Sequence, residues 1–403
     1  MTMPPPRPPA VVLAASTNGL GTVRSLRLAG VPTIVVAADA DEPAMHSRYP
    51  IEKFVIGEGD RDTRLLECLG RLAVGRPVLV PTSDNYVSFM TRHRSSLQEQ
   101  FRFCLPGDEL TDLLIDKARE TRRIAELGIP LPRTIQELPG TAGELVAMAG
   151  LPLIIKPYSF KHFHVLGRKN ALLWTQADAD AFYRAQGSRL AGLLAQEVIP
   201  GADDTLWVCN CTFGPSHELH EAFTFRRLGL SPPHFGVTSY AVSERNSEIV
   251  GLVARLGPAL KYTGPAMVEF KFDSRDGLYK YIEVNPRFGA CNYFDSRCGI
   301  NNVHNAYRLA LGEQLDGRRD HQVEGTMYLS LYDDLYSRWQ DGQRLSAALR
   351  YYARHVGRRH VGAYFDWGDW RPALLAAARH TVDTIRSLAR KTGLGRSAAQ
   401  PSR

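Results

Sequence analysis

The chain has 403 residues, of which 44% are hydrophobic and 23% charged, values typical of a soluble globular protein with two or three domains. No apolar run approaches the roughly 18 residues of a membrane span, which argues against a spanning helix. The net charge of +7 is uneven, because residues 342–403 carry twelve Lys or Arg against three Asp or Glu, which leaves about −2 on residues 1–341. A charge confined to a tail argues against a nucleic-acid-binding protein. The positive charge of the tail indicates either that the tail contacts an anionic surface or that it is simply exposed to solvent.

Residues 1–9 are rich in proline and are predicted to be a disordered lead-in without the apolar region of a signal peptide. None of the six cysteines has a partner at zinc-site spacing, and Cys209 and Cys211 alternate along a strand-like stretch. Free thiols in a reducing compartment are therefore expected, and the predicted location is the cytoplasm.

Residues 10–111 alternate between apolar strands and helices. Strands are predicted at 10–16, 32–39 and 77–84, with helices after the first strand, at 61–73 and near 85–100. This alternation predicts a doubly wound parallel sheet.

The turn after the first strand imitates a dinucleotide-binding fingerprint. Gly19 and Gly21 are followed by Asp39, twenty residues after Gly19. Arg24 stands where the third glycine would allow the helix to pack closely on its strand. The pattern favours a related fold without nicotinamide or flavin, and a dehydrogenase is the alternative.

Residues 112–320 are predicted to form a mixed α+β unit, and residues 321–403 a mainly helical, basic extension. The predicted elements of the mixed unit are a helix from 112 that ends near Gly128, strands at 152–160 and 193–201, two strands within 205–225, a loop at 226–236, a helix at 246–260, a hairpin at 266–285 and a helix at 300–312.

Residues 371–391 place apolar side chains at helical spacing among basic ones. The apolar residues are Leu374, Leu375, Ala378, Val382, Ile385 and Leu388. Packing of this face on the neighbouring domain is expected, and contact with an anionic membrane surface is the less favoured alternative.

The hairpin brings two glutamates together. A three-residue loop, Arg275 to Gly277, would set Glu269 directly opposite Glu283. Asn285 and Arg287 follow on the same face of the second strand. Two close carboxylates repel each other unless a cation lies between them, and these oxygens suit Mg²⁺.

Glu269 in "MVEF" followed by Glu283-x-Asn285-x-Arg287 resembles the metal-binding signature of the ATP-grasp superfamily. Four further stretches appear in that family's order: Asp116-Lys117 with "GIPLPRT", "LIIKP", "QEVIPGADD" and "SPPHFG". The similarity covers residues 10–315, including the preceding doubly wound domain. Within the superfamily it is strongest to carboxylate–amine ligases of the pyrrolysine-synthesis and D-aspartate-ligase kind.

This resemblance implies roles for individual residues. Lys117 and Lys156 would contact ATP phosphates, together with Lys161 or Lys169 from a loop that here lacks the usual glycines. The adenine would lie against Gln196, Glu197, Val198 and Ile199. Asp204 would bind the ribose, with Asp203 as the alternative.

The resemblance also implies a metal site and a charged catalytic group. Glu269, Glu283 and Asn285 would hold one or two Mg²⁺, for which Mn²⁺ can substitute. Arg287 and Arg226 would stabilise the reacting groups, with Arg227 as the alternative to Arg226.

The implied reaction joins a carboxylate to an amine through an acylphosphate, on small-molecule substrates such as amino acids. An ATP-dependent carboxylate kinase or a thioester-forming ligase would share the ATP site, and a non-catalytic ATP-binding protein is less favoured. Residues 81–85 and 286–294 are expected to line the substrate site, although Ser83 and Asp84 are equally suited to cap a helix. The oligomeric state, monomer or homodimer, stays open.

Overall fold

The computed structural model describes residues 7–57, 59–159, 162–315 and 321–379. The first unit is a four-stranded parallel sheet in the order β3-β2-β1-β4. Its elements are β1 (Ala10–Leu13), α1 (Thr17–Leu28), β2 (Thr33–Ala37), β3 (Glu52–Val55), α2 (Arg61–Leu72), β4 (Val78–Pro81), α3 (Asp84–Arg92) and α4 (Arg94–Gln100). The doubly wound fold predicted from the sequence is confirmed.

The second unit is a four-stranded antiparallel sheet in the order β5-β8-β6-β7. Its elements are β5 (Thr134–Ile135), α7 (Ala142–Ala149), β6 (Leu153–Pro157), α8 (Phe163–Leu166), β7 (Ala171–Leu173), α9 (Gln176–Gln186) and β8 (Leu193–Glu197). Helices α7 and α9 each begin with a capping box and pack their apolar faces on the sheet.

The third unit is a seven-stranded sheet in the order β13-β12-β9-β10-β11-β14-β15. Its strands are β9 (Leu206–Phe213), β10 (Leu219–Ser231), β11 (Val237–Ser243), β12 (Gly264–Asp273), β13 (Leu278–Asn285), β14 (Met327–Leu329) and β15 (His360–Gly362). The associated helices are α5 (Asp108–Ile115), α6 (Lys117–Glu126), α10 (Ser247–Leu260), α11 (Asn292–Arg297), α12 (Asn302–Ala310), α13 (Leu331–Gln340) and α14 (Leu345–Ala353). The C-terminal extension therefore adds two strands to this sheet besides its helices.

The cores of the units are joined. Val303, Ala306 and Tyr307 of α12 pack into the cluster that covers one face of the first sheet. The domain boundaries expected at 111 and 320 stay predictions. Within the described residues, no helix is both long enough and apolar enough to cross a membrane. The six cysteines are all free thiols.

The helix predicted from residue 112 is wrong as a single element. Asp116 leaves the helical conformation and ends α5, and its side chain accepts hydrogen bonds from the backbone N–H groups of Ala118 and Arg119 to begin α6. An aspartate is a strong N-cap residue, and this competing local hydrogen bonding breaks the helix immediately before Lys117.

The loop predicted at 226–236 is also wrong over most of its length. Strand β10 continues to Ser231, and β11 begins at Val237. The backbone accommodates the glycine and prolines by register shifts on either side of Gly229 and by a short turn. The conformational freedom of Gly229 is used at a bulge and not in a loop.

The predicted pairing of Glu269 with Glu283 is confirmed, although the route to it differs. Asp273 pairs with Leu278, so the turn has four residues, and a register shift between Glu269 and Phe270 absorbs one extra residue of β13. This bulge restores the opposition of the glutamates. It also turns Tyr281 into the core together with Val284.

The glycines of the first turn serve close packing within the chain. A Cβ at Gly19 would lie 2.1 Å from the Ala14 carbonyl oxygen, and one at Gly21 would lie 2.6 Å from Asn292 Oδ1. Asn292 sits at the start of α11 and donates to Asn18 Oδ1 at 2.6 Å. The two glycines thus let α1 meet its own strand and α11.

Arg24, at the third-glycine position, is fully buried. Its Nε lies 3.2 Å from Asp369 Oδ2, and its Nη atoms donate to the carbonyl oxygens of Ala363, Tyr364 and Asp369. Asp369 also accepts from the Ser47 hydroxyl at 2.8 Å and the Arg48 N–H at 2.9 Å. This network fastens the C-terminal extension to the first sheet.

Replacing Arg24 with methionine is expected to lower the free energy of unfolding by about 3–5 kcal/mol, because the Asp369 charge stays buried without its partner. Urea denaturation would measure the change. The control is Arg64→Met, which breaks an exposed pair with Glu67 at 3.7 Å and should cost at most about 1 kcal/mol. Equal losses for the two variants would contradict the assigned role of Arg24.

Candidate active site

The two opposed glutamates are each neutralised by a cation from another element. Arg227 on β10 donates to Glu269 Oε1 at 2.6 Å, and Lys117 at the start of α6 donates to Glu283 Oε2 at 2.9 Å. Coulomb attraction to Lys117 lowers the pKa of Glu283 well below its ordinary value. Attraction to Glu283 likewise raises the pKa of Lys117. Lys117 and Glu283 therefore form a fully ionised pair at neutral pH.

Asn285 and Arg287 extend this cluster along β13. Asn285 Nδ2 donates to Glu283 Oε1 at 3.1 Å, and Arg287 Nη2 donates to Asn285 Oδ1 at 3.2 Å. The Nε and Nη2 atoms of Arg287 also donate to the two oxygens of Asp84 at 2.6 and 3.0 Å. This bidentate pair joins the end of β13 to the first turn of α3 in the doubly wound unit.

Helix α6 is held so that Lys117 can reach between two sheets. The Lys117 N–H donates to the Tyr158 carbonyl oxygen at 2.7 Å, just beyond β6. One turn later, buried Glu120 accepts from the Tyr281 hydroxyl and from the Val284 N–H on β13. Burial raises the pKa of Glu120 to about 7.

The space between the second and third sheets, which Lys117 reaches, is called the cleft below. Lys156 on β6 faces this cleft. Its Nζ donates to Gln196 Oε1 on neighbouring β8 at 2.8 Å. Burial lowers the pKa of Lys156 to about 8, and the charge of Lys117 acts in the same direction. Two lysines thus approach one place with pKa values displaced in opposite directions, an arrangement often found at functional sites.

The segment from Glu197 to Ile199, at the end of β8, connects the second unit to the third and is called the hinge below. The N–H groups of Glu197 and Val198 donate to the carbonyl oxygens of Arg133 and Pro152, and Ile199 is buried. The Glu197 carboxylate accepts from the Arg133 N–H at 2.9 Å and from Arg275. The hinge is therefore held firmly by its own chain.

Two adjacent aspartates follow the hinge and point to different neighbours. Asp204 lies 3.9 Å from Arg226, whereas Asp203 contacts His234 at 3.2 Å. Burial lowers the pKa of Lys271 on β12, and the negative charge of Asp203 acts in the opposite direction. The ribose role expected for Asp204, with Asp203 as the alternative, stays a prediction.

The structure does not bring Arg226 to the glutamates. Its Nε donates to Glu244 at 2.9 Å, and Arg227, which the sequence offered as the alternative, contacts Glu269 instead. Because β10 is extended here and not a loop, adjacent side chains point to opposite faces of the sheet. Of the two arginines, Arg227 is thus the one that lies beside the glutamates, and a catalytic role for Arg226 or Arg227 stays a prediction.

The basic loop after β6 is placed only in part. Lys169 is exposed and shows no described contact with the glutamate cluster. Lys161 lies outside the described residues. Ser159 and His162 contact each other at 3.0 Å between Ser Oγ and His Nδ1, close to the end of β6.

The oxygens at the cluster fit a hard divalent cation. Glu269 and Glu283 face each other across one ladder position, and the Asn285 amide adjoins Glu283. Oxygen ligands of this kind are those that Mg²⁺ takes while it shares a substrate's phosphate oxygens. In the described part of the chain, no group of three His, Cys, Asp or Glu side chains is arranged to hold a metal ion.

Sequence reasoning missed two residues of this site. The sequence offers Asp84 as a helix cap or as lining of the substrate site, whereas in the structure Asp84 pairs with Arg287, and Ser83 is the N-cap residue of α3 without a capping bond from its side chain. Glu120 is the second of these residues. Its position three residues after Lys117, on the same side of α6, is the signal that was available.

Comparison with known proteins shows similarity in sequence to a D-aspartate ligase. The chain is 26% identical over 320 residues to D-aspartate ligase of Enterococcus faecium (strain Aus0004), covering 72% of this chain and 74% of the relative. No protein-family model matches the chain.

Solved structures show the same fold. Biotin carboxylase of Campylobacter jejuni, in a beta-gamma-ATP complex, superposes with a TM-score of 0.63 at 15% identity, covering 79% of this chain and 74% of that one. N5-carboxyaminoimidazole ribonucleotide synthetase of Thermus thermophilus gives a TM-score of 0.58 at 19% identity, covering 76% and 79%. The resemblance to ATP-grasp proteins and to D-aspartate ligase is thereby confirmed.

We expect Lys156 and Lys117 to lose their protons at clearly different pH values. Burial favours neutral Lys156, with a midpoint near pH 8, whereas the Glu283 carboxylate holds the proton on Lys117 into the alkaline range. Labelling with an amine-reactive reagent across pH, read by peptide mass spectrometry, would measure both midpoints. In the Glu283→Gln control the Lys117 midpoint should fall. Coincident midpoints in the unmodified protein would contradict this electrostatic account.

Proposed function

We propose that this chain, which has the ATP-grasp fold, is an ADP-forming ligase that joins a small-molecule carboxylate to an amine. The observation that carries the proposal is the pair Glu269 and Glu283, opposed across a hairpin and matched by Arg227 and Lys117. The sequence similarity to D-aspartate ligase supports the same class of reaction.

The proposed reaction has two steps. A substrate carboxylate oxygen attacks the γ-phosphorus of ATP, which breaks the bond to ADP and forms an acylphosphate. The amine then attacks the acyl carbon, phosphate leaves with the C–O electron pair, and the amine's surplus proton is released. Phosphorylation supplies the leaving group that a free carboxylate lacks, so the protein's task is positioning and charge stabilisation.

The nucleotide would lie between the second and third sheets. Lys156 and Lys117 face this cleft and would contact phosphate oxygens as point charges. At the hinge, the Glu197 and Val198 N–H groups are used within the fold, so the adenine would contact the hinge carbonyls and the Ile199 N–H. Asp204, which lies 3.9 Å from Arg226, would bind the ribose, with Asp203 as the alternative.

Glu269, Glu283 and Asn285 would hold one or two Mg²⁺, or Mn²⁺ in its place. The metal would supply neutralisation of phosphate charge. Arg227 and Lys117, which now balance the two carboxylates, are then free to bind phosphate oxygens. Arg287 presents a forked guanidinium beside Asn285, where a carboxylate or acylphosphate oxygen would sit.

The substrates would bind between the first unit and the end of β13. Arg287 and Asp84 are paired with each other there, and an amino acid or an amino-acid-like compound would separate them, its carboxylate binding Arg287 and its ammonium binding Asp84. We place the reaction in the cytoplasm, in a monomer or homodimer. An ATP-dependent carboxylate kinase or a thioester-forming ligase remains the second candidate, because the nucleotide site would be the same.

An ADP-release screen with Mg²⁺, ATP and pools of amino acids, scored by mass spectrometry for amides, tests this function. We expect ADP release that requires both a carboxylate and an amine. Glu283→Gln should reduce it at least about 100-fold, because a metal-binding oxygen and the partner of Lys117 are lost together. Release without an amine would favour the kinase, release with a thiol would favour the thioester ligase, and an unchanged Glu283→Gln rate would refute the metal site.

The neighbouring arginines on β10 offer a matched pair of variants. Arg227→Met is expected to lower ADP formation at least about 100-fold, since it removes the guanidinium beside Glu269. Arg226→Met removes the same group from the opposite face and should stay within about threefold of the unmodified rate. Steady-state ADP release with thermal unfolding as a fold control measures both. A larger loss at Arg226 would reverse the assignment.

A further inference from the structure

The segment from Phe365 to Trp370 has an inverted distribution of polarity. Its two acids face inward: the Asp369 side chain is 0% exposed and that of Asp366 is 17% exposed. Its aromatic residues face solvent: Trp367 is 89% exposed, Trp370 49% and Phe365 45%. Soluble surfaces usually show the reverse, and a cluster of exposed aromatic side chains marks an interaction site.

The buried acids hold this segment rigidly. Asp366 accepts from the Tyr293 hydroxyl at 2.7 Å and from the Gly368 N–H at 2.9 Å, while Asp369 is bound to Arg24 and Ser47. A Cβ at Gly368 would lie 2.4 Å from the Tyr49 hydroxyl oxygen, so the backbone is pressed against the first unit. Trp367 is thus fixed pointing outward.

The exposed apolar surface continues into the next helix. Residues 371–379 are helical, and Leu374, four residues after Trp370, is 61% exposed, while Ala378 one further turn on is exposed as well. Ala376 faces inward instead. The expectation that this helix packs its apolar stripe on the domain therefore does not hold for Leu374. Residues 380–391 of the predicted helix lie outside the described residues.

The sequence that follows this surface is strongly basic. Seven Lys or Arg and one Asp follow Trp370 in the sequence. Val382 and Ile385 follow this stripe of Trp370, Leu374 and Ala378 at the same spacing in the sequence, in the part of the chain outside the described residues. Aromatic and aliphatic side chains beside cations are the composition of surfaces that lie in a membrane interface.

We propose that this surface, formed by Phe365, Trp367, Trp370 and Leu374, docks the protein on an anionic phospholipid membrane. The aromatic rings would enter the headgroup region, where an amphipathic indole is favourable, and the basic residues would attract the negative headgroups. Charge complementarity selects a lipid surface over a second copy of this chain, because a second copy would bring the same basic residues together. This proposal is independent of the proposed ligase function.

Co-sedimentation of the full chain with lipid vesicles tests the proposal. The unmodified protein should sediment with phosphatidylcholine vesicles that contain phosphatidylglycerol, and much less with phosphatidylcholine alone. Trp367→Ser should lower the partition coefficient about tenfold, and Trp367→Ser with Trp370→Ser should lower it further. Because Trp367 is almost fully exposed, the single variant tests the surface without disturbing a core.

Trp174→Ser is the matched control, since Trp174 is 57% exposed on the second unit, away from this surface. It should sediment like the unmodified protein. The proposal is overturned if the unmodified protein stays in the supernatant with anionic vesicles, if Trp367→Ser binds them equally well, or if Trp174→Ser loses binding to the same extent. Self-association in solution that Trp367→Ser abolishes would also overturn it, and would assign the surface to a second copy.

Discussion

The cleft is organised by the need to place positive charge beside two carboxylates that face each other. Glu269 and Glu283 occupy one ladder position of a hairpin, and their repulsion is relieved by groups from outside it, Arg227 and Lys117. Lys117 can reach Glu283 only because α6 begins where it does, tied to Tyr158 on one side and through Glu120 to β13 on the other. Helix α6 is therefore tied to the second sheet by the contact with Tyr158 and to the third sheet by the contacts of Glu120.

Three contacts join the first unit to the cleft, to α11 and to the C-terminal extension. Gly21 makes room for Asn292, and Arg24 reaches the C-terminal extension where a glycine would be expected. Arg287 then joins the end of β13 to Asp84 on α3. The doubly wound sheet is therefore a wall of the proposed substrate site and the anchor of the C-terminal segment at once.

The features that could be predicted from the sequence are those that depend on residues close together along the chain. The alternation of strands and helices predicted the doubly wound sheet, and the spacing of polar residues in 281–287 predicted the polar face of the hairpin on which the proposed metal site lies. The sequence could not predict which of Arg226 and Arg227 faces Glu269, because that depends on whether β10 continues through a stretch rich in glycine and proline. Nor could it predict the pairing of Asp84 with Arg287, which are 203 residues apart.

Because of the bulge in β13, the pairing of Glu269 with Glu283 is not set by the length of the turn alone. Between the bulge and the turn, the hairpin runs in one register; beyond it, where the glutamates lie, it runs in another. A turn one residue shorter with no bulge would bring Glu269 and Glu283 into the same opposition. Turn length and bulge are thus interchangeable solutions, so the distal end of the hairpin can vary by a residue while the glutamates keep their pairing.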